Sequence, residues 1–233
     1  MNKHTRSFQF KTKTMLLALI PLAFLCLWPG RFIASHLARR YAFTQIRATD
    51  GTLFEGDRGF ALKLDRSQLS HLATLSDVRS LDLAQSSLTD KDLTYLRPLH
   101  DLEFLDLSEN PIRDSGLESI KHCAKLRYLW LQDTEITSQG LRHLTRMKDL
   151  EGLVLDGTLI DDDGLEHLRN CVMLRELSLY ATHVTDYSIR HLRGLPNLSA
   201  VSVPAEWSPK SVAHLKTQCP NLTVYQQRVK IPR

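Results

Sequence analysis

The chain is poor in the residue patterns that enzymes and disulfide scaffolds need. Four cysteines in 233 residues are too sparse for a small disulfide-stapled fold. No glycine-rich stretch could cradle a phosphate, and "GLVLDG" supplies only its two end glycines. No nucleophile is paired with a base, and no pair of carboxylates has a spacing that points to acid–base work. Acid is missing from the N-terminal end. Residues 1–50 hold eight Lys/Arg against one acid, Asp50, while the remainder holds 22 Lys/Arg against 25 Asp/Glu. The overall pI near 8.9 therefore belongs to a short basic end, and the body is slightly acidic. That distribution excludes nucleic acid as the body's main partner.

One long uncharged run is present. "MLLALIPLAFLCLW", residues 15–28, follows Lys3, Arg6, Lys11 and Lys13 and precedes Arg31, Arg39 and Arg40. As a helix it would span roughly 21 Å, and it approaches the ~30 Å of a bilayer core only if residues 30–37 join it with Arg31 snorkelling. A secretory signal is the competing reading. The available cleavage pairs (Phe32 with Ala34, Ile33 with Ser35, His36 with Ala38) are poor, and Leu25 before Cys26 does not suit a lipoprotein signal. An uncleaved membrane anchor over 15–37 is expected. The excess of positive charge before it puts the N-terminus inside and the body outside the cytoplasm.

From Val78 the text repeats every 24 residues: "VRSLDLAQSSL", "LEFLDLSENPI", "LRYLWLQDTEI", "LEGLVLDGTLI", "LRELSLYATHV" and "LSAVSVPAEWS". Positions 1, 4 and 6 are apolar in every copy, and positions 4 to 6 alternate as a short strand does. Such a strand cannot bury its apolar side alone, so copies must stack into one core. Position 9 carries Asn110, Thr134, Thr158 and Thr182, side chains able to bond backbone where the strand turns away. Position 13 carries Asp90, Asp114, Ser138, Asp162 and Asp186, read as N-caps of a following short helix with apolar positions 16 and 19. The sixth copy departs from the pattern: Ser208-Pro209 opens its helix, and Val212 and Leu215 sit one residue early.

The pattern L-x-x-L-x-L-x-x-(N/T)-x-(I/V) resembles the leucine-rich repeat of the ribonuclease-inhibitor-like, cysteine-containing style over about residues 60–225, and the resemblance implies a bacterial source. The resemblance implies an α/β solenoid with parallel strands concave and short helices convex. The chain then divides into a basic tail (1–14), the membrane segment (15–37), a juxtamembrane linker (38–59), an N-terminal capping half-repeat (60–77), six repeats (78–221) and a C-terminal strand and tail (222–233).

Cys123, Cys171 and Cys219 all fall at position 22, where the intervening copies hold Leu99, Met147 and Leu195. They read as core fillers two repeats apart, too far for disulfides. His71, His143, His167 and His191 at position 18 read as solvent-facing, and no metal or other cofactor is expected. "IDDDGL" (160–165) resembles a calcium loop only in composition. Asn197 and Asn221 match the glycosylation pattern but read as turn residues.

The outward positions 3, 5, 7 and 8 are left for function. Phe104, Tyr128 and Trp130 are expected to form one patch, ringed by Asp82, Asp106, Asp133 and Asp156, with Gln132 and Tyr180 beside it. Aromatics ringed by charge have the make-up of a protein-binding hot spot. Solenoids of this family usually serve as interaction scaffolds. The resemblance and the missing catalytic constellation together lead to non-catalytic recognition of a protein or peptide at a membrane surface. A purely structural envelope component, and a hydrolase using an acidic groove around Asp106 and Asp133, are the alternatives.

Overall fold

The computed structural model describes residues 52–56, 59–64, 66–75 and 78–226. Nine strands form one sheet in chain order. They are β1 (Thr52–Gly56), β2 (Gly59–Lys63), β3 (Val78–Asp82), β4 (Phe104–Asp106), β5 (Tyr128–Trp130), β6 (Gly152–Val154), β7 (Glu176–Ser178), β8 (Ala200–Ser202) and β9 (Thr223–Tyr225). β1 pairs antiparallel with β2, and every later pair is parallel. The register follows the period: Ser80, Phe104, Tyr128, Gly152, Glu176 and Ala200 lie side by side. The last step is one residue shorter, Ala200 facing Thr223. The parallel sheet carrying short helices is the solenoid that the repeat implies.

The stretch read as linker differs at its end. Thr52–Gly56 is a strand that pairs residue for residue with Gly59–Lys63. The expected membrane segment and basic tail lie outside the described residues. Among the described residues no helix is long and apolar enough to cross a membrane.

The leucines fill a single continuous core. In the third copy Leu126, Leu129 and Leu131 are fully buried, as are Ile136, Leu141, Leu144 and Met147 on the return limb. Each such side chain contributes about 2 kcal/mol through burial, and it can be buried only because a neighbouring repeat covers it.

The return limbs are mostly 3₁₀ rather than α: Arg66–Thr74, Asp92–Leu96, Gly140–Arg146, Asp163–Asn170 and Asp186–Ser188. The α-helices are α1 (Asp114–Ile120), α2 (Ile189–Leu192) and α3 (Pro209–Gln218). Positions 16, 19 and 22 recur every third residue. A 3₁₀ helix stacks i over i+3 and rises about 2.0 Å per residue, so it points all three inward and crosses the repeat in few residues. In the sixth copy Ser208 Oγ accepts from Ser211 N (3.1 Å) and Pro209 follows, so the longer α3 starts as its residues foretell.

The position-13 side chains do not cap their own helices, which corrects the N-cap reading. They reach forward into the next repeat. Asp90 accepts from Arg113 N (2.8 Å), Asp114 from Thr137 N (2.8 Å) and Thr137 Oγ1 (2.6 Å), and Asp162 from Thr185 N (2.8 Å). Ser138 Oγ accepts from Asp161 N (3.0 Å). The receiving backbone is extended at Arg113 and Thr185, so its N–H faces the preceding copy instead of a helical carbonyl.

This bonding explains Gly116, Gly140 and Gly164. A Cβ on Gly116 would lie 2.7 Å from Asp90 Oδ1, one on Gly164 2.6 Å from Ser138 Oγ, and one on Gly140 would strike Asp114 Oδ1. The demand is local, since the same column holds Asp92 and Ser188 in the first and fifth copies. Gly140→Ala should cost about 1–3 kcal/mol in a denaturant titration. Less should be lost in an Asp114→Ala background, where the obstructing carboxylate is gone; equal losses in both backgrounds would place the conflict elsewhere.

Candidate functional site

The concave face is built by strand positions 3 and 5 and by the bend that follows. At position 8 the backbone turns left-handed in five successive copies: Gln85, Glu109, Asp133, Gly157 and Ala181 have φ between 52° and 67°. The bend aims Glu109 and Asp133 into solvent at the edge of the sheet. It also takes over part of the ring of acids expected around the aromatic patch. Asp106 and Asp156 are each 1% exposed. Asp106 Oδ1 accepts from Ser108 N (2.9 Å) and Asp156 Oδ1 from Tyr180 N (3.0 Å). Half-buried Asp82 similarly accepts from Ala84 N (3.1 Å). Asp106 and Asp156 are therefore turn-holding groups rather than free surface charges. A carboxylate so engaged also fits poorly with the hydrolytic groove considered for Asp106 and Asp133.

The aromatics do come together. Phe104 and Tyr128 are register partners across β4 and β5, and Trp130 faces Asp106. Phe104 and Trp130 meet edge to face, centroids 5.3 Å apart at 72°. All three rings are half-buried. The indole Nε1 of Trp130 is itself buried. Tyr128 is the more independent probe. Its ring lies 5.8 Å from the Arg127 guanidinium, and its hydroxyl is 3.5 Å from Glu151 Oε2. Gln132 Nε2 donates to Asp133 Oδ2 (3.1 Å). Tyr180 lies two strands from Trp130, about 10 Å along the sheet, at the margin of the patch.

Position 2 carries an ion-pair ladder that the repeat reading left out. Arg79 bonds Glu103 (2.7 Å), and Arg127 bonds Glu151 (2.7 Å) while standing 3.9 Å from Glu103. One position along the rim, Lys125 meets Asp101 at 2.6 Å. Glu103, Lys125, Arg127, Asp149, Glu151 and Met173 line a groove of about 360 Å³. The signal was legible as the alternation Arg79, Glu103, Arg127, Glu151, Arg175 down one column. These exposed pairs hold rotamers more than they stabilise the fold, at roughly 0–1 kcal/mol each.

Cys123 and Cys171 are fully buried, and Cys219 is half-buried; all three are free thiols. Burial pushes the Cys123 thiol up to about 12 and that of Cys171 to about 11. His71, His143, His167 and His191 are half-buried rather than solvent-facing. Burial, then the charge of Arg142, lowers His143 below its ordinary value. Among the described residues no three His, Cys, Asp or Glu side chains converge to hold a metal. In "IDDDGL", Asp161 meets Ser138 and Asp162 meets Thr185, both across a repeat boundary. Asn197 Nδ2 donates to Val172 O (2.7 Å), a turn contact between copies.

Known proteins share the fold. The family described as Leucine Rich repeat matches residues 99–121, one repeat of the series. Internalin C2 of Listeria monocytogenes is a structural neighbour with a TM-score of 0.55 and 22% identity, covering 69% of this chain and 73% of its own. A leucine-rich-repeat protein of Leptospira interrogans superposes with a TM-score of 0.52 and 20% identity, covering 66% of this chain and 38% of its own. This chain thus spans well under half of the Leptospira protein. No curated protein matches the sequence.

Proposed function

We propose that this chain, whose repeats and fold are those of a leucine-rich-repeat solenoid, is a non-catalytic recognition protein. It binds a protein or peptide through its concave face and is held at a membrane by residues 15–37, with the solenoid outside the cytoplasm. The observation that carries the reading is the cluster of Phe104, Tyr128 and Trp130, three half-buried rings grouped on one sheet face. Rings placed so are costly to leave in water and contribute most where a partner excludes it. The apolar run between basic flanks supports the anchor. The engagement of Asp106 and Asp156 in turns supports binding over hydrolysis.

Tyr128→Ala tests the reading. Full-length protein should stay with membranes through an alkaline wash, and cross-linking in those membranes should capture a partner. The substitution should weaken that partner about tenfold, near 1.4 kcal/mol, with thermal stability little changed. His167→Ala and Arg190→Ala on the convex side should leave capture unaltered. Loss of the partner in the convex variants alone would put recognition on the opposite face.

A further inference from the structure

The convex return limbs carry a band of positive charge. Position 20, the residue after the buried position 19, holds Arg97, Lys121, Thr145, Arg169 and Arg193 in the first five copies, and Lys216 one residue early in the sixth. Arg142 and Arg146 flank the gap at Thr145, and Arg190 shares a limb with Arg193. Positions 17 to 21 of the six copies thus hold eight Lys/Arg against two acids, Glu118 and Glu166. From residue 51 on the whole body holds 22 against 25, so the excess belongs to this band and not to the background. All eight bases are exposed except half-buried Lys121.

Little among the described residues neutralises the band. Glu118 bonds Lys121 (3.1 Å) and Glu166 bonds Arg169 (3.4 Å), exposed pairs that water and salt screen. Arg142 and Arg190 donate to the rings of His143 and His191 (3.4 and 3.0 Å), which are not carboxylates. Arg97, Arg146, Arg193 and Lys216 make no ion pair among the described residues. Cations at the C-terminal end of a limb suit the helix dipole. That does not account for the band, because Arg142 lies in the first turn of Gly140–Arg146 and Arg190 in that of Ile189–Leu192, where the dipole favours acids.

We infer that this convex band docks the solenoid on anionic lipid headgroups. It rests on the anchoring proposed above and adds which face meets the bilayer. Residues 38–51 separate the anchor from β1, at most about 50 Å of extended chain, so the band stays near the bilayer at high effective concentration. Clustered Lys and Arg are drawn to a negative lipid surface within a Debye length, about 10 Å. Mobile headgroups gather under charges of any spacing, which suits a row interrupted at Thr145. Nucleic acid suits it less: Tyr95 is the one Phe, Tyr or Trp at positions 17 to 21, where single-strand sites interleave several rings with the bases. Docked in this way, the solenoid turns its sheet face away from the lipid.

Reductive methylation of the full-length chain in vesicles, read by peptide mass spectrometry, tests it. Lys216 reacts about threefold more slowly in vesicles of equal parts phosphatidylcholine and phosphatidylglycerol than in phosphatidylcholine alone, and added salt restores the rate. Lys125, on the groove at the rim of the same molecules, is the reference and does not change. Arg169→Gln with Arg193→Gln, both at exposed positions, abolishes the difference. Equal rates for Lys216 in the two vesicles, or protection that the double variant keeps, overturns the inference. If a single-stranded oligonucleotide added in phosphatidylcholine vesicles protects Lys216 more than phosphatidylglycerol does, the partner is nucleic acid and the lipid assignment falls. Flotation separates the band from the anchor. A chain that an alkaline wash strips from phosphatidylcholine vesicles has no anchor. Its salt-sensitive flotation with phosphatidylglycerol vesicles, lost in the double variant, then upholds the band alone, and failure to float with them overturns it.

Discussion

Asn110→Ala should remove about 3–5 kcal/mol of stability, more than any exposed substitution in the solenoid. Asn110 is 2% exposed and joins two repeats. Its Nδ2 donates to Leu83 O (2.9 Å), Leu107 O (2.9 Å) and Ser108 O (3.0 Å), and its Oδ1 accepts from Ser86 N (3.0 Å) and Leu88 N (2.9 Å). Alanine would leave buried backbone donors and acceptors without partners, each costing about 1–3 kcal/mol, in space too tight for water to replace the amide freely. Thr134→Val is the matched contrast. Thr134 occupies the same column but makes one bond, Oγ1 to Leu131 O at 2.7 Å, within its own turn, so about 1 kcal/mol is expected. Denaturant midpoints for the two variants decide it. A comparable loss in both would mean that the column acts by shape and that the inter-repeat amide network carries no special weight.

The second large effect concerns the thiols. At pH near 8 a thiol with its pKa raised from 9.0 to about 12 has roughly a thousandth of the thiolate of an ordinary cysteine, and Cys123 is inaccessible as well. Native alkylation followed by peptide mass spectrometry should label half-buried Cys219 well before Cys123 and Cys171. All three should react once the chain is unfolded. The same shift fixes a pH dependence. Above pH 9.0 the unfolded chain releases thiol protons that the folded chain retains up to about 11 for Cys171 and 12 for Cys123. The unfolded state then binds fewer protons, and stability declines as pH rises through that window. Below pH 9.0 the contribution is fully present. Rapid native labelling of Cys171, or a stability flat across the alkaline window, would place these sulfurs outside the core.

The repeat by itself determined the fold: a strict 24-residue spacing of leucines admits one arrangement in which every apolar side chain is covered, stacked copies in register. It also determined the cysteine column as core for Cys123 and Cys171, because a position that alternates with Leu and Met has the same neighbours in every copy. The grouping of Phe104, Tyr128 and Trp130 followed from that register alone. The 3₁₀ return limbs were encoded too, in the three-residue spacing of positions 16, 19 and 22, although that spacing looks helical in general until the path length of the limb is known.

Tertiary structure decided the polar positions. One column of carboxylates can cap its own helix or bond the next repeat, and only the extended backbone at Arg113 and Thr185 turns Asp90 and Asp162 forward. Likewise Asp106 and Asp133 look equivalent in the text, yet the left-handed bend at Asp133 sends one into solvent while Asp106 is spent on Ser108 N. Apolar side chains need only be covered, which a repeating pattern guarantees. Polar ones need a partner at a set distance and angle, and that partner's place exists only once neighbouring repeats have stacked.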